Sequence, residues 1–84
     1  MLTRQARADI KEIIRYADRY FGPAQTEEYL HGLFGSFDLL AGNPRLGREW
    51  AGGKRRYVFR THIVYYRLTR DGPLITQIRH GSMG

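Results

Sequence analysis

Hydrophobic positions recur at intervals of three and four through residues 1–42, and in short, roughly alternating runs through residues 54–80. The first spacing is that of a helix and the second that of a strand. Ala6, Ile10, Ile13, Ile14, Ala17 and Phe21 fall on one broad stripe of a helical wheel, with Tyr20 inside it and Tyr16 at its rim. Asp9, Glu12, Arg15, Asp18 and Arg19 take the other side, and Thr3 is placed to cap the first turn. Gly22 ends this helix and Pro23 opens the next at its first position. The second stripe, Leu30, Leu33, Phe34, Phe37, Leu40 and Ala41, is stopped by Gly42-Asn43-Pro44. Two amphipathic helices joined by so tight a turn predict a helical hairpin.

Beyond the hairpin the pattern changes. Asn43 to Gly53 reads as a Gly-rich loop with Trp50 as its one large apolar anchor. Lys54 to Arg67 is rich in β-branched and aromatic residues, which suit a pleated, half-buried surface. A tight turn at Arg60-Thr61-His62 divides it into two strands. In the second of these, Ile63 and Tyr65 lie on one face, and His62, Val64, Tyr66 and Leu68 on the other. Arg70-Asp71-Gly72-Pro73 is a hairpin turn. The last strand, Leu74 to His80, puts Leu74, Thr76, Ile78 and His80 on one face and Ile75, Gln77 and Arg79 on the other. The order helix, helix, strand, strand, strand predicts an α+β fold, a two-helix hairpin packed on a small antiparallel β-sheet. Residues 1–84 are expected to form a single domain, of a size that supports one modest core.

Charge divides the chain along the same line. Residues 1–42 hold five cations and six anions, and residues 43–84 hold nine cations with only Glu49 and Asp71 against them. The net charges are −1 and +7, which points to a scaffold and a working face whose partner is an anion. Twelve of the fourteen cations are Arg, the side chain that best matches phosphate or carboxylate. Arg55, Arg56, Arg60, Arg67 and Arg79 are the candidates on the predicted sheet. Taken singly each is a solvated edge charge, and only the cluster points to function. The chain has no cysteine, hence no disulfide framework, thiolate metal site or thiol nucleophile, as suits a reducing cytoplasm. It shows no signal peptide and no apolar run of membrane-spanning length, so no membrane partner is expected.

Catalytic chemistry finds little support. Imidazoles titrate near neutral pH, so His80 is a candidate acid or base, yet no carboxylate lies nearby in sequence to orient it. Local hydrogen bonding is the simpler role for His80 and for His62, and His31 falls on the polar side of its helix. The three histidines show no metal-ligand spacing, and Ser36 and Ser82 lack the surroundings of a nucleophile. No metal, cofactor or catalytic residue is expected.

Several local motifs, in this order, resemble the ParE toxins of the RelE/ParE superfamily of bacterial toxin–antitoxin modules. Leu2-Thr3 with Ala6, Asp9 and Ile10 resembles the family's opening, and Tyr29-Leu30 its second helix. Asn43-Pro44-Arg45-Leu46-Gly47-Arg48 matches the family's helix exit in full, and His62-Ile63-Val64-Tyr65-Tyr66-Arg67 resembles its third strand. His80-Gly81-Ser82-Met83-Gly84 echoes a His-x-Arg-Met-Asp ending, with Ser82 and Gly84 in place of Arg and Asp. Gln77 stands where relatives commonly carry Arg. Relatives also have several residues of strand before the Leu-Ser/Thr, so here the first strand is expected to be very short or missing.

The resemblance implies a non-enzymatic toxin that inhibits DNA gyrase by stabilising its cleaved-DNA complex. It implies neutralisation by a ParD-like antitoxin in a hetero-oligomer, with DNA met only indirectly, through the antitoxin or gyrase. Candidate target-binding residues are Arg56, Arg60, Arg67, Arg79, His80 and Met83, on the basic sheet and at the chain's end. Candidate antitoxin-binding residues are Ile13, Tyr16, Tyr20, Tyr29 and Phe34, on helices whose apolar stripes are too wide for a small sheet to cover. One alternative is a ribosome-dependent endoribonuclease of the RelE branch. It is opposed by Ile63, which stands where related nucleases carry a catalytic Arg. The other is a non-toxic, antitoxin-binding relative, suggested by the altered ending.

Overall fold

The computed structural model describes residues 1–82. Two helices, α1 (Arg4–Phe21) and α2 (Pro23–Gly42), form the predicted hairpin. The Thr3 hydroxyl accepts from the Ala6 amide at 3.1 Å, and between the helices Gly22 takes φ 90°, a conformation that favours glycine. Four strands follow: β1 (Arg48–Glu49), β2 (Lys54–Phe59), β3 (His62–Thr69) and β4 (Gly72–His80). They form one antiparallel sheet in the order β1-β2-β3-β4. The helices cover one face of it. Ala6, Ile10 and Ile13 of α1 and Leu33 and Leu40 of α2 pack with Val64, Tyr66, Ile75 and Ile78 in a single core. Leu33 and Leu40 are wholly enclosed, each burial contributing on the order of 2 kcal/mol.

Three details differ from the pattern of the sequence. The loop after α2 contributes β1, whose two residues pair with Arg55 and Arg56, followed by a 3-10 turn at Ala51–Gly53. A run of two residues without alternation is too short to be recognised as a strand. Second, Ile75 and Ile78 are both buried in the core, although strict alternation puts them on opposite faces. The cause is a bulge: Tyr65 pairs with Gln77 but Tyr66 pairs with Ile75, so Thr76 is the extra residue and β4 changes face there. Third, the apolar stripe of α1 outruns its partner. Tyr20 and Phe21 are each 60% exposed, and the buried residues of α1 are Ala6, Ile10 and Ile13, none in its last two turns.

The short first strand survives as one bridge. Leu2 pairs in parallel with Ile75 of the edge strand β4, the Thr3 amide donating to Ile75 O at 3.0 Å and the Ile75 amide to Met1 O at 2.9 Å. Side chains extend the seal. The Thr3 hydroxyl donates to Thr76 O at 2.8 Å, and the Ile78 amide donates to Asp9 Oδ2 at 2.8 Å. The other end of the sheet is fastened by Tyr66, fully buried. Its hydroxyl donates to Pro44 O at 2.7 Å and accepts from the Gly47 amide at 2.9 Å. A Cβ on Gly47 would stand 2.5 Å from that hydroxyl and 2.9 Å from Arg56 O, so only glycine fits there.

Candidate functional site

Strand alternation and register sort the basic residues onto the two faces. With Tyr57, Val64 and Ile78 in the core, their neighbours point the other way. One row on the helix-free face joins Lys54, Arg67 and Leu74; the next joins Arg48, Arg56, Tyr65 and Gln77; the third joins Val58, Ile63 and Arg79. Every row holds at least one cation, and no carboxylate occupies any of these positions. Arg56, Arg67 and Arg79, separated in sequence, therefore share one surface. Trp50 packs on it, its ring centroid 6.3 Å from that of Tyr65 at a tilt of 54° and the Arg56 guanidinium 4.4 Å from the indole centroid, a cation–π contact on one ring face. Tyr65, the register partner of Arg56, lies against Trp50 and is buried on this face, as is Ile63 between Val58 and Arg79.

Two of the other arginines lie elsewhere. Arg60 occupies the β2–β3 turn at φ 51°, its guanidinium 5.5 Å over the Phe59 ring. Arg55 faces the helices, with its side chain only 12% exposed, its Nε buried without a partner and Glu49 at 3.9 Å. The register that points Arg56 outward turns Arg55 inward, so it does not belong to the basic face.

The histidines form a separate cluster at one end of the sheet, on the helix side. His62 and His80 are register partners whose rings meet edge-on at 5.5 Å. The Tyr29 hydroxyl lies 2.6 Å from His62 Nδ1 and the Ser82 hydroxyl 2.7 Å from His80 Nδ1. Burial, and secondarily the charge of His80, push the His62 pKa below its ordinary value. A neutral ring with its proton on Nε2 accepts at Nδ1 from Tyr29. Among the described residues no carboxylate is a hydrogen-bond partner of either ring, and no group of three side chains suits a metal ion. His80 bonds the nearby Ser82, whereas the 2.6 Å partner of His62 is Tyr29, 33 residues away in sequence.

The five aromatic and aliphatic candidates on the helices are dispersed. Tyr16 and Tyr20 are about 60% exposed, with their rings 4.6 Å apart, and Phe21 is 6.4 Å from Tyr16. Phe34, on α2, lines a shallow depression with Leu30 and His31. Tyr29 belongs to the histidine cluster. Ile13 is 9% exposed and lies in the core, so a charge placed there is expected to cost stability and not simply to remove a surface contact. Met83 lies outside the described residues.

The hairpin, the sheet and the Tyr66 fastening make up a fold that can be set beside known proteins. A family model described as the ParE toxin of the type II toxin–antitoxin system parDE matches residues 1–84. The chain belongs to the ParE toxin family. Similar proteins include toxin ParE1 of Caulobacter vibrioides, 30% identical over 85 residues that cover 98% of this chain and 88% of the relative. Toxin ParE1 of Mycobacterium tuberculosis is 32% identical over 87 residues, covering 99% and 89%. A solved structure described as the chromosomal ParDE TA system from P. aeruginosa shares the fold, with a TM-score of 0.82 at 20% identity over 94% of this chain and 90% of that one. The family's opening motif acquires a physical reason here. In this ParE-family chain Leu2, Thr3 and Asp9 seal the edge of β4, while Ala6 and Ile10 face the core.

Two features of the site have no counterpart in the sequence pattern: the Tyr66 fastening and the Arg56–Trp50 stack. Tyr66 reaches partners 19 and 22 residues away, for which no local pattern exists. Trp50 did carry a signal, as the lone large aromatic residue of a Gly-rich loop.

Proposed function

We propose that this ParE-family chain inhibits DNA gyrase without catalysing a reaction, and that a ParD-like antitoxin neutralises it by binding directly. The family match over the whole length of the chain carries this reading. The distribution of surfaces supports it. A basic sheet face holds Arg56, Arg67 and Arg79 and is proposed to meet the target, with Arg60 in the β2–β3 turn and His80 at the helix-side end of β4 as further candidates. The exposed aromatics Tyr16 and Tyr20 on α1 and Phe34 on α2 offer apolar area to an antitoxin segment, as helix-in-groove partners use. Ile63, buried in the sheet, argues against the endoribonuclease alternative, since it supplies no cation for a scissile phosphate.

The test uses the purified chain in two parallel assays, gyrase supercoiling of plasmid DNA and translation on ribosomes. Loss of supercoiling with linear DNA accumulating, and intact message, is the expected result. A ParD-type antitoxin should restore supercoiling, and Tyr16→Glu should raise the antitoxin needed at least tenfold. Cleaved message with normal supercoiling would replace this reading with the nuclease. Inactivity in both assays, with the antitoxin still binding, would mean that the altered ending has cost the toxin its activity.

A further inference from the structure

We infer that the helix-free face of the sheet binds single-stranded nucleic acid directly, in a sequence-independent way. This deepens the proposed action at a gyrase–DNA complex, which otherwise places DNA in contact with the enzyme and not with the toxin. The rows of the sheet supply the first observation. Lys54 and Arg67, then Arg48 and Arg56, then Arg79 occupy three successive rows, so cations run the length of the face. Rows two residues apart along a strand are separated by roughly 7 Å. No register position among them carries a carboxylate. The acidic residues lie on the helices, at Glu49 on the helix side of β1, or at Asp71 in the β3–β4 turn. A surface with one sign of charge along an extended track fits a polyanionic backbone better than an isolated phosphate.

The second observation concerns Trp50. Trp50 as a residue is 45% exposed although it is the largest apolar residue on this side of the molecule. The guanidinium of Arg56 is already stacked on it, at 4.4 Å. Stacking orders that Arg before any ligand arrives and leaves its N–H fork for a phosphate oxygen. An exposed indole beside ordered cations is the combination by which proteins hold unpaired bases, stacking them without reading their edges. An acidic protein segment would satisfy the charges and leave the indole without a role. Lys54, Arg56, Arg67 and Arg79 are therefore assigned to backbone phosphates and Trp50 to a base.

The test is fluorescence anisotropy of a labelled 20-nucleotide single strand of mixed sequence titrated with the full chain, without topoisomerase, from 50 to 200 mM salt. With about four phosphates engaged, the logarithm of affinity should fall against the logarithm of salt concentration with a slope of roughly −3. Arg67→Glu with Arg79→Glu should weaken binding by roughly tenfold or more and make the slope shallower by one to two. Arg4→Glu with Arg7→Glu, the same change of charge on exposed positions of α1, should change affinity less than threefold. Trp50→Ala should cost about tenfold on the single strand. Circular dichroism confirms that each variant is folded. Absence of binding at 50 mM salt, equal losses from the two charge reversals, or an unchanged Trp50→Ala variant would each overturn the inference. Gyrase inhibition by a chain that fails this assay would leave the proposed function standing and remove only the direct contact with DNA.

Discussion

Tyr66 shows how one side chain fixes the path of a loop. Its hydroxyl serves both Pro44 O and the Gly47 amide from a fully buried position, so the helix exit Asn43-Pro44-Arg45-Leu46-Gly47-Arg48 is shaped by a strand residue that approaches it from below. Tyr66→Phe keeps the ring and strips both partners of their hydrogen bond. Buried backbone groups left unsatisfied cost roughly 1–3 kcal/mol, and in a domain of this size that lowers Tm by about 5–15 °C. Thermal denaturation reads it directly, and an unchanged Tm would show that water replaces the hydroxyl. His62 carries a different prediction. Its folded-state pKa lies below the unfolded value, so the unfolded chain binds more protons and folding is favoured by deprotonation. That contribution is present above about pH 6.5 and is lost as pH falls toward the lowered folded value. Tm should decline between pH 7 and pH 5, and His62→Gln should flatten the decline in that interval. A wild-type curve already flat there would remove the argument.

At the scale of elements, the helices and the three longer strands were legible because their residues repeat with one period for a turn or more. Thr3, Gly22 and Pro23 stand where capping chemistry put them. What was not legible depended on contact between elements. The bulge that brings Ile75 and Ile78 to one side is a slip of pairing with Tyr65 and Tyr66, and neither strand's sequence announces it. Asp9 illustrates the same limit. On a helical wheel it is one more solvated acid, yet it accepts the Ile78 amide and ties α1 to the edge strand. Asp9→Ala should destabilise the protein by roughly 1–2 kcal/mol, through the lost charge-assisted bond and the amide left without an acceptor. Glu12→Ala, a neighbouring exposed acid, should change stability by less than about 0.5 kcal/mol. Chemical denaturation of the two variants compares them, and equal midpoints would deny Asp9 this role.

For the molecule as a whole, the division of charge seen along the chain became a division in space. The acidic and neutral half became the hairpin, and the basic half became a sheet with one face given to cations. The sequence indicated that such a face exists, but not its membership. Arg55 and Arg56 are adjacent and chemically identical, yet the pleat sends one toward the helices and the other to solvent beside Trp50. The histidines were legible as hydrogen-bonding residues, while the meeting of His62 with Tyr29 and with His80 required the fold.

The seal on β4 also constrains when the molecule can be complete. Thr3 bonds Thr76 and Asp9 bonds Ile78, across sequence separations of 73 and 69 residues. During synthesis Thr3 and Asp9 emerge well before the strand they close, which lies 73 and 69 residues later. The hairpin has its local contacts early, whereas the sheet edge waits for the last strand. A nascent chain halted before Ile78 therefore has α1 without its edge partner and a core lacking Ile78. The sealed sheet edge exists only once β4 has been made.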